Sequence, residues 1–271
     1  MKKIYLVLLL IFFIPILASA HQPRVVDSNE IIVISPEISK AYYSQLSGVP
    51  HVYNFTTDKS ITFYVNILVP DVPGQKKDVS AIIIKNGDRQ APLATMDSFT
   101  TNWERWFEEF GQSWYFKGQE YKAPAEPGNY EILVWSPNND IKYVLAVGEQ
   151  EKFNLSETIN AWHLVPQLKR NFFAESPITF ILSPLGWVYI LIMYLLAGLV
   201  AWLLRFFLSK KACPLRNIDL KERLLRVIFG LLLLLWAITS AWNPLLLFLS
   251  GFCLFEAIFS WCGVVAIIKI K

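Results

Sequence analysis

Charge is scarce in this chain. Asp, Glu, Lys and Arg make up 17% of its 271 residues and hydrophobic residues 54%, whereas an ordinary soluble domain is about 25% charged. The chain is therefore not soluble throughout. Cysteine is also sparse: there are three, and none precedes Cys213. A disulfide framework is excluded for the first half, which must rest on its hydrophobic core. Three histidines leave little from which to build a metal centre, and no Asp-x-His or Cys/His ligand spacing accompanies them. A Gly-rich phosphate loop and a Ser/His/Asp arrangement are missing as well. The expectation is a protein without a catalytic centre, cofactor or metal. Disorder is excluded by 15% aromatic residues and a net charge of only +3.

The charge that is present is segregated. Residues 21–176 carry 14 Lys and Arg against 19 Asp and Glu, a net of −5, and residues 177–271 carry 9 against 3, a net of +6. The basic residues flank apolar runs and form no patch, so nucleic acid is not an expected partner.

Residues 1–20 read as a secretory signal. Lys2 and Lys3 precede the apolar run Ile4–Ile16, and Ala18-Ser19-Ala20 is a small-x-small cleavage site. Cleavage would expose His21, whose amine and imidazole could join His51 at a metal, but without supporting ligand spacing no metal site is expected. Residues 21–155 are expected to form an exported all-β sandwich. Candidate strands are Glu30–Ser35, His51–Thr56, Ser60–Pro70, Val79–Asn86, Asn129–Ser136 and Lys142–Val147, separated by turn signals such as Asn86-Gly87-Asp88. Between the fourth and fifth lies an aromatic and acidic stretch, Trp103–Phe116. Its Trp103, Trp106, Trp114 and Tyr115 read either as a ligand platform for sugars or peptide side chains, or as a loop capping the sandwich core.

Residues 156–184 form a juxtamembrane connector: a helix capped by Ser156, bearing Pro166, and lying on the bilayer surface. From Ser176 to Leu204 no charge occurs, and a transmembrane helix is placed at 185–207. A basic cytoplasmic loop, 208–223, follows. The next apolar stretch, 224–268, divides at Trp242-Asn243-Pro244 into two further helices, Leu224–Ala241 and Leu245–Ile268. Glu256 then falls within the third span, where a carboxyl is unfavourable by about 2.5–3.5 kcal/mol, so it must face the bundle, be protonated or find a polar partner. On that reading Glu256→Gln is nearly silent, because the amide keeps a hydrogen bond.

Two resemblances attach to these residues. Asn217-Ile218-Asp219, then Arg223-Leu224-Leu225-Arg226-Val227-Ile228-Phe229-Gly230, and later Gly251 and Trp261-Cys262-Gly263-Val264-Val265-Ala266, resemble the YgaP-like two-helix inner-membrane domain. Gly263 and Val265 stand where that family usually has proline and tyrosine. The strands ending Gly128–Ile132 and Lys142–Gly148 resemble those closing the pre-peptidase C-terminal jelly rolls, and the exported part as a whole is similar to an uncharacterised family of membrane-anchored extracytoplasmic domains. The implied protein is a bacterial inner-membrane, multi-pass chain with three transmembrane helices, a large N-terminal domain outside and a cytoplasmic C-terminus. The function expected is non-catalytic binding or scaffolding, with an extracytoplasmic protein or carbohydrate ligand, the lipid bilayer and a second copy as partners. The alternative is a thiol-based sulfur or redox component using Cys213 and Cys262.

Overall fold

The computed structural model describes residues 21–209 and 216–268. The signal segment and Cys213 lie outside the described residues. Eleven strands come first: β1 Gln22–Val25, β2 Glu30–Ile32, β3 Lys40–Gln45, β4 His51–Thr57, β5 Ile61–Pro70, β6 Ser80–Lys85, β7 Ala94–Met96, β8 Glu104–Glu108, β9 Ser113–Ala125, β10 Gly128–Trp135 and β11 Lys142–Val147. They form a six-stranded sheet, β1-β3-β11-β5-β9-β8, and a five-stranded sheet, β2-β4-β10-β6-β7. Alternation dictates the packing. In β4 the residues His51, Tyr53, Phe55 and Thr57 are buried and those between them are not, as expected of strands with one face on a core. Tyr53, Phe63, Val65, Ile83, Ile132 and Leu145 from both sheets meet in one cluster, so the sheets stack face to face. Most pairings are antiparallel, but β1 pairs β3 in parallel and β2 pairs β4 in parallel.

All six expected strands are present. Five others escaped the sequence reading: β1, β3, β7, and the β8–β9 hairpin. That hairpin occupies the stretch read as a possible loop, and its register runs from Glu104 opposite Lys117 to Glu108 opposite Ser113. It forms an edge of the six-stranded sheet.

Helix α1, Leu155–Asn171, follows the sandwich. Its N-cap is Asn154, whose side chain accepts from the Glu157 amide at 2.9 Å, and not Ser156, which lies within the first turn. The helix passes through Pro166 without ending. It does not simply lie on a surface: Leu168 and the following Phe172 and Phe173 cover the outer face of the six-stranded sheet at Ala41, Leu68, Tyr115 and Val144. A 3-10 helix, Pro177–Leu182, leads to α2, Pro184–Ser209, which is long and apolar enough to cross a membrane, with a mean hydropathy of 2.3.

Helix α3, Leu220–Thr239, begins at a capping box in which Asp219 accepts from the Glu222 amide and Glu222 from the Asp219 amide. Helix α4, Pro244–Phe259, starts with Asn243 as N-cap and Pro244 at its first turn, as the turn signal implied. The last expected helix does not run on to Ile268. It stops at Phe259 with Ser260 in the left-handed region (φ 54°), and a short α5, Gly263–Ile268, follows. A left-handed residue ends a helix by turning the chain so that its terminal carbonyls find new donors; here the Ser260 and Trp261 amides return to the Glu256 carbonyl.

Helices α3 and α4 approach closely where Gly230 faces Leu254, and Ser250 donates to the Gly230 carbonyl at 2.8 Å. Gly251 admits Tyr194 of α2, 2.8 Å from where a Cβ would stand. The α3–α4 turn places both Ala241 (φ 54°) and Trp242 (φ 63°) in the left-handed region, a conformation that costs a bulky residue on the order of 1–3 kcal/mol. Burial of Trp242 offsets this. Its ring is 1% exposed, and its indole N–H donates to the Pro177 carbonyl at 2.8 Å.

Candidate functional site

The strongest concentration of buried polar groups lies where the β8–β9 hairpin meets α1. At the hairpin tip, between Glu108 and Ser113, Gln112 adopts φ 58°, a turn conformation. Glu108 ends β8 and folds its carboxylate back over the tip, accepting the amides of Phe110 at 2.7 Å and Gly111 at 2.6 Å. The ammonium of Lys169, on α1, enters the same region with its side chain 1% exposed. It donates to the Gln112 carbonyl at 2.6 Å, to Ser113 Oγ at 3.0 Å and to Glu175 at 2.9 Å. Behind these groups the Tyr43 and Tyr115 hydroxyls meet at 3.0 Å. A cavity of about 30 Å³ lies among them, lined also by Trp106, His21 and Leu168.

Burial governs the proton equilibria here. It raises the Glu108 carboxyl to about 7 against the two backbone donors and nearby Lys169, which favour the charged form. Burial also pulls the Lys169 ammonium down, with Glu175 opposing it, and pushes Tyr115 up. A lysine within 3.0 Å of a serine hydroxyl is the arrangement of a Ser–Lys nucleophile pair, which requires a neutral lysine and an accessible hydroxyl. Here Glu175 pairs with the ammonium and Ser113 is 2% exposed. The cluster acts as a lock between hairpin and helix.

The four aromatics singled out from the sequence do not form one platform. Trp103 lies against the sandwich core, its indole donating to the Ser98 carbonyl at 3.3 Å and its ring against Gly118. Trp106 and Tyr115 are directly opposed in register, with centroids 5.9 Å apart, and Tyr115 is buried at 3%. Trp114 pairs instead with Phe107, and the Arg105 guanidinium stacks on it at 4.1 Å. Strand alternation separates neighbours onto opposite faces. Trp106 and Trp114 alone keep substantial exposure, 37% and 39%. His21 and His51 do not converge either. His21 contacts Ser39, whereas His51 is held in the core by Ser44 and Tyr143, each at 2.9 Å.

At the opposite end, Glu256 is not stranded at mid-span. It lies in the last turn of α4, 6% exposed, and takes Arg226 Nε at 3.1 Å and the Gly263 amide at 2.9 Å. Asn217 clasps Cys262 by its backbone, accepting its amide at 2.7 Å and donating to its carbonyl at 2.9 Å. The Cys262 residue is 3% exposed, so its thiol is not presented to solvent. Among the described residues no group of three His, Cys, Asp or Glu side chains could hold a metal ion. The hairpin lock was missed by the sequence reading; the only signal was Lys169 in the buried phase of an otherwise amphipathic helix.

Comparison with known protein families bears on the helical half. Residues 214–271 match the family described as inner membrane protein YgaP-like, transmembrane domain. The α3–α5 segment thus carries that membrane domain, as the sequence resemblance implied. A solved structure, the pre-peptidase C-terminal domain of collagenase from Bacillus anthracis, aligns with 47% of this chain and 95% of its own, at 11% identity and a TM-score of 0.27. No curated protein matches the sequence.

Proposed function

We propose that this chain is a non-catalytic, multi-pass inner-membrane protein that holds an extracytoplasmic β-sandwich in a fixed orientation above the bilayer, where the sandwich binds a partner. The observation that carries this reading is the continuous clamp between sandwich and helices. Ser183 Oγ donates to the Phe110 carbonyl of the hairpin tip at 2.8 Å, and Trp162 of α1 stacks on Tyr189 of α2. A tethered domain needs only a flexible linker, whereas a scaffold that presents a surface needs its orientation fixed.

Three spans, α2, α3 and α4, put the sandwich outside and the C-terminus in the cytoplasm. The segment from 205 to 226 supports this orientation, since it carries Arg205, Lys210, Lys211, Arg216, Lys221, Arg223 and Arg226 against Asp219 and Glu222. Positive residues in short loops stay on the cytoplasmic side. Exposed Leu182 and Trp187 at the start of α2, with exposed Leu155 and Ile159 at the start of α1, suit an outer-leaflet collar.

With the six-stranded sheet covered by α1, the free face is that of the five-stranded sheet. There Val52, Leu133 and Ile82 lie side by side in register, and all three are partly exposed. Photo-crosslinking residues placed at Ile82, Leu133, Trp106 and Trp114 in intact membranes test the reading. A discrete adduct from one of these faces, and none from exposed Gln90, is the expected result. No adduct beyond the chain itself at all four positions would overturn it.

A further inference from the structure

A second cleft lies at the far end of the helices, away from the sandwich. Leu220, Leu224 and Val227 of α3 recur at intervals of four and three residues and so share one stripe; Leu254 and Ile258 of α4 face them. The small side chain of Ala257 leaves the floor open. The resulting cleft has a volume of about 230 Å³ and is almost wholly apolar. Leu220, Leu224 and Ile258 are 76%, 60% and 68% exposed, so it opens sideways rather than into the bundle. One charged residue lines it. Arg223 Nε donates to the Ala257 carbonyl at 2.8 Å, which ties the guanidinium to the cleft while using one of its five donors. The neighbouring charges are accounted for: Arg226 is paired with Glu256, and Asp219 and Glu222 are engaged in the α3 capping box. Among the described residues that line the cleft, Arg223 is the cation that faces an incoming anion, with exposed Lys221 and Arg216 nearby in the chain.

We propose that this cleft holds one acyl chain of an anionic phospholipid whose phosphate is bound by Arg223. The inference rests on the membrane reading given above. A bilayer supplies hydrocarbon to any lateral groove, so the acyl chain alone confers no selectivity. Selection comes from the guanidinium, whose planar fork matches phosphate oxygens in a way an ammonium does not. Its place is at the basic end of the helices, the level at which headgroup phosphates stand in the cytoplasmic leaflet.

The full chain, purified in detergent, tests this by native mass spectrometry and thermal unfolding with phosphatidylglycerol, phosphatidylcholine or inorganic phosphate. Phosphatidylglycerol should be retained at least tenfold in preference to phosphatidylcholine and should raise Tm, while inorganic phosphate does neither. Arg223→Gln should abolish the preference, and Val227→Trp, which fills the cleft without touching the charge, should abolish retention of both lipids. If Arg223→Gln does not fold, Arg223→Lys is read instead and should weaken the preference without removing it. Equal retention of the two lipids, undiminished preference in Val227→Trp, or dimers replacing bound lipid would overturn the proposal. Recovery of the chain in the soluble fraction of cells would instead overturn the membrane reading itself.

Discussion

Trp162 and Tyr189 stack with ring centroids 5.0 Å apart and planes 11° from parallel, and the Trp162 indole donates to the Leu185 carbonyl at 3.1 Å. Tyr189 in turn lies 6.2 Å from Trp242, itself edge-on to Phe180 at 4.9 Å. This ladder joins α1, α2, the 3-10 helix and the α3–α4 turn, so one residue of the connector bears on the whole helical half.

Trp162→Ala removes a ring that is 7% exposed and takes the indole donor from the Leu185 carbonyl. The expected loss is about 3–5 kcal/mol, expressed at the junction and not in the sandwich. Limited proteolysis should then cut between residues 150 and 184, where the wild-type chain resists. Trp162→Phe keeps the stack and should lose only the hydrogen bond, about 1 kcal/mol.

Glu108 makes the hairpin lock sensitive to pH. Its carboxyl is raised to about 7 in the folded chain from an ordinary 4.5, so the folded state binds the proton more tightly than the unfolded one. Stability therefore falls as pH rises from about 4.5 through about 7 and is flat above. Lys169, Glu109, Glu175, Tyr43 and Tyr115 face or neighbour this group. Unfolding followed between pH 5 and 8 should show the decline, and Glu108→Gln should flatten it. An unchanged slope in the variant would assign the effect to another group.

The ion pair at the end of α4 reverses the expectation that Glu256→Gln is silent. Arg226 loses its counter-charge in that variant, and breaking a buried pair by removing one partner costs about 3–5 kcal/mol where both groups are dry. Since Arg226 retains 22% side-chain exposure, a smaller loss of about 1–3 kcal/mol is expected. Thermal unfolding in detergent should place Glu256→Gln well below the wild type and the double change Arg226→Met with Glu256→Met nearer to it.

Topology is tested by single cysteines in a chain whose native three are replaced. A membrane-impermeant thiol reagent applied from outside should label position 90 and spare positions 216 and 271. Position 90 is preferable to Gly87, whose φ of 75° would strain a cysteine. Labelling at 271 with protection at 216 would mean an even number of spans after the signal.

The strands with plain alternation, such as β4 and β10, were legible because a half-buried strand writes its burial directly into the chain. β3, with the run Ala41-Tyr42-Tyr43-Ser44, is buried on both faces and lacks that signature. The β8–β9 hairpin was obscured for a different reason. Its aromatics run consecutively, as Trp106-Phe107 and Trp114-Tyr115-Phe116, so no alternation marks the strands, and only the pairing of Trp106 with Tyr115 and of Phe107 with Trp114 sends Trp106 and Trp114 to opposite faces.

The sequence alone determined the division of the molecule: segregated charge, an uncharged run after Ser176 and strand alternation before it are local properties that no tertiary arrangement can undo. It also determined the α3–α4 turn, since Asn243-Pro244 both ends one helix and begins another. Only the tertiary structure decided how the two halves are joined. Lys169 reads as a juxtamembrane cation and Glu108 as one acid among three, and neither position states that the other is near. Their meeting depends on β8–β9 being an edge hairpin and on α1 folding back across β11. Burial of charge is set by such long-range contacts, and so were the fates of Lys169, Glu108 and Glu256.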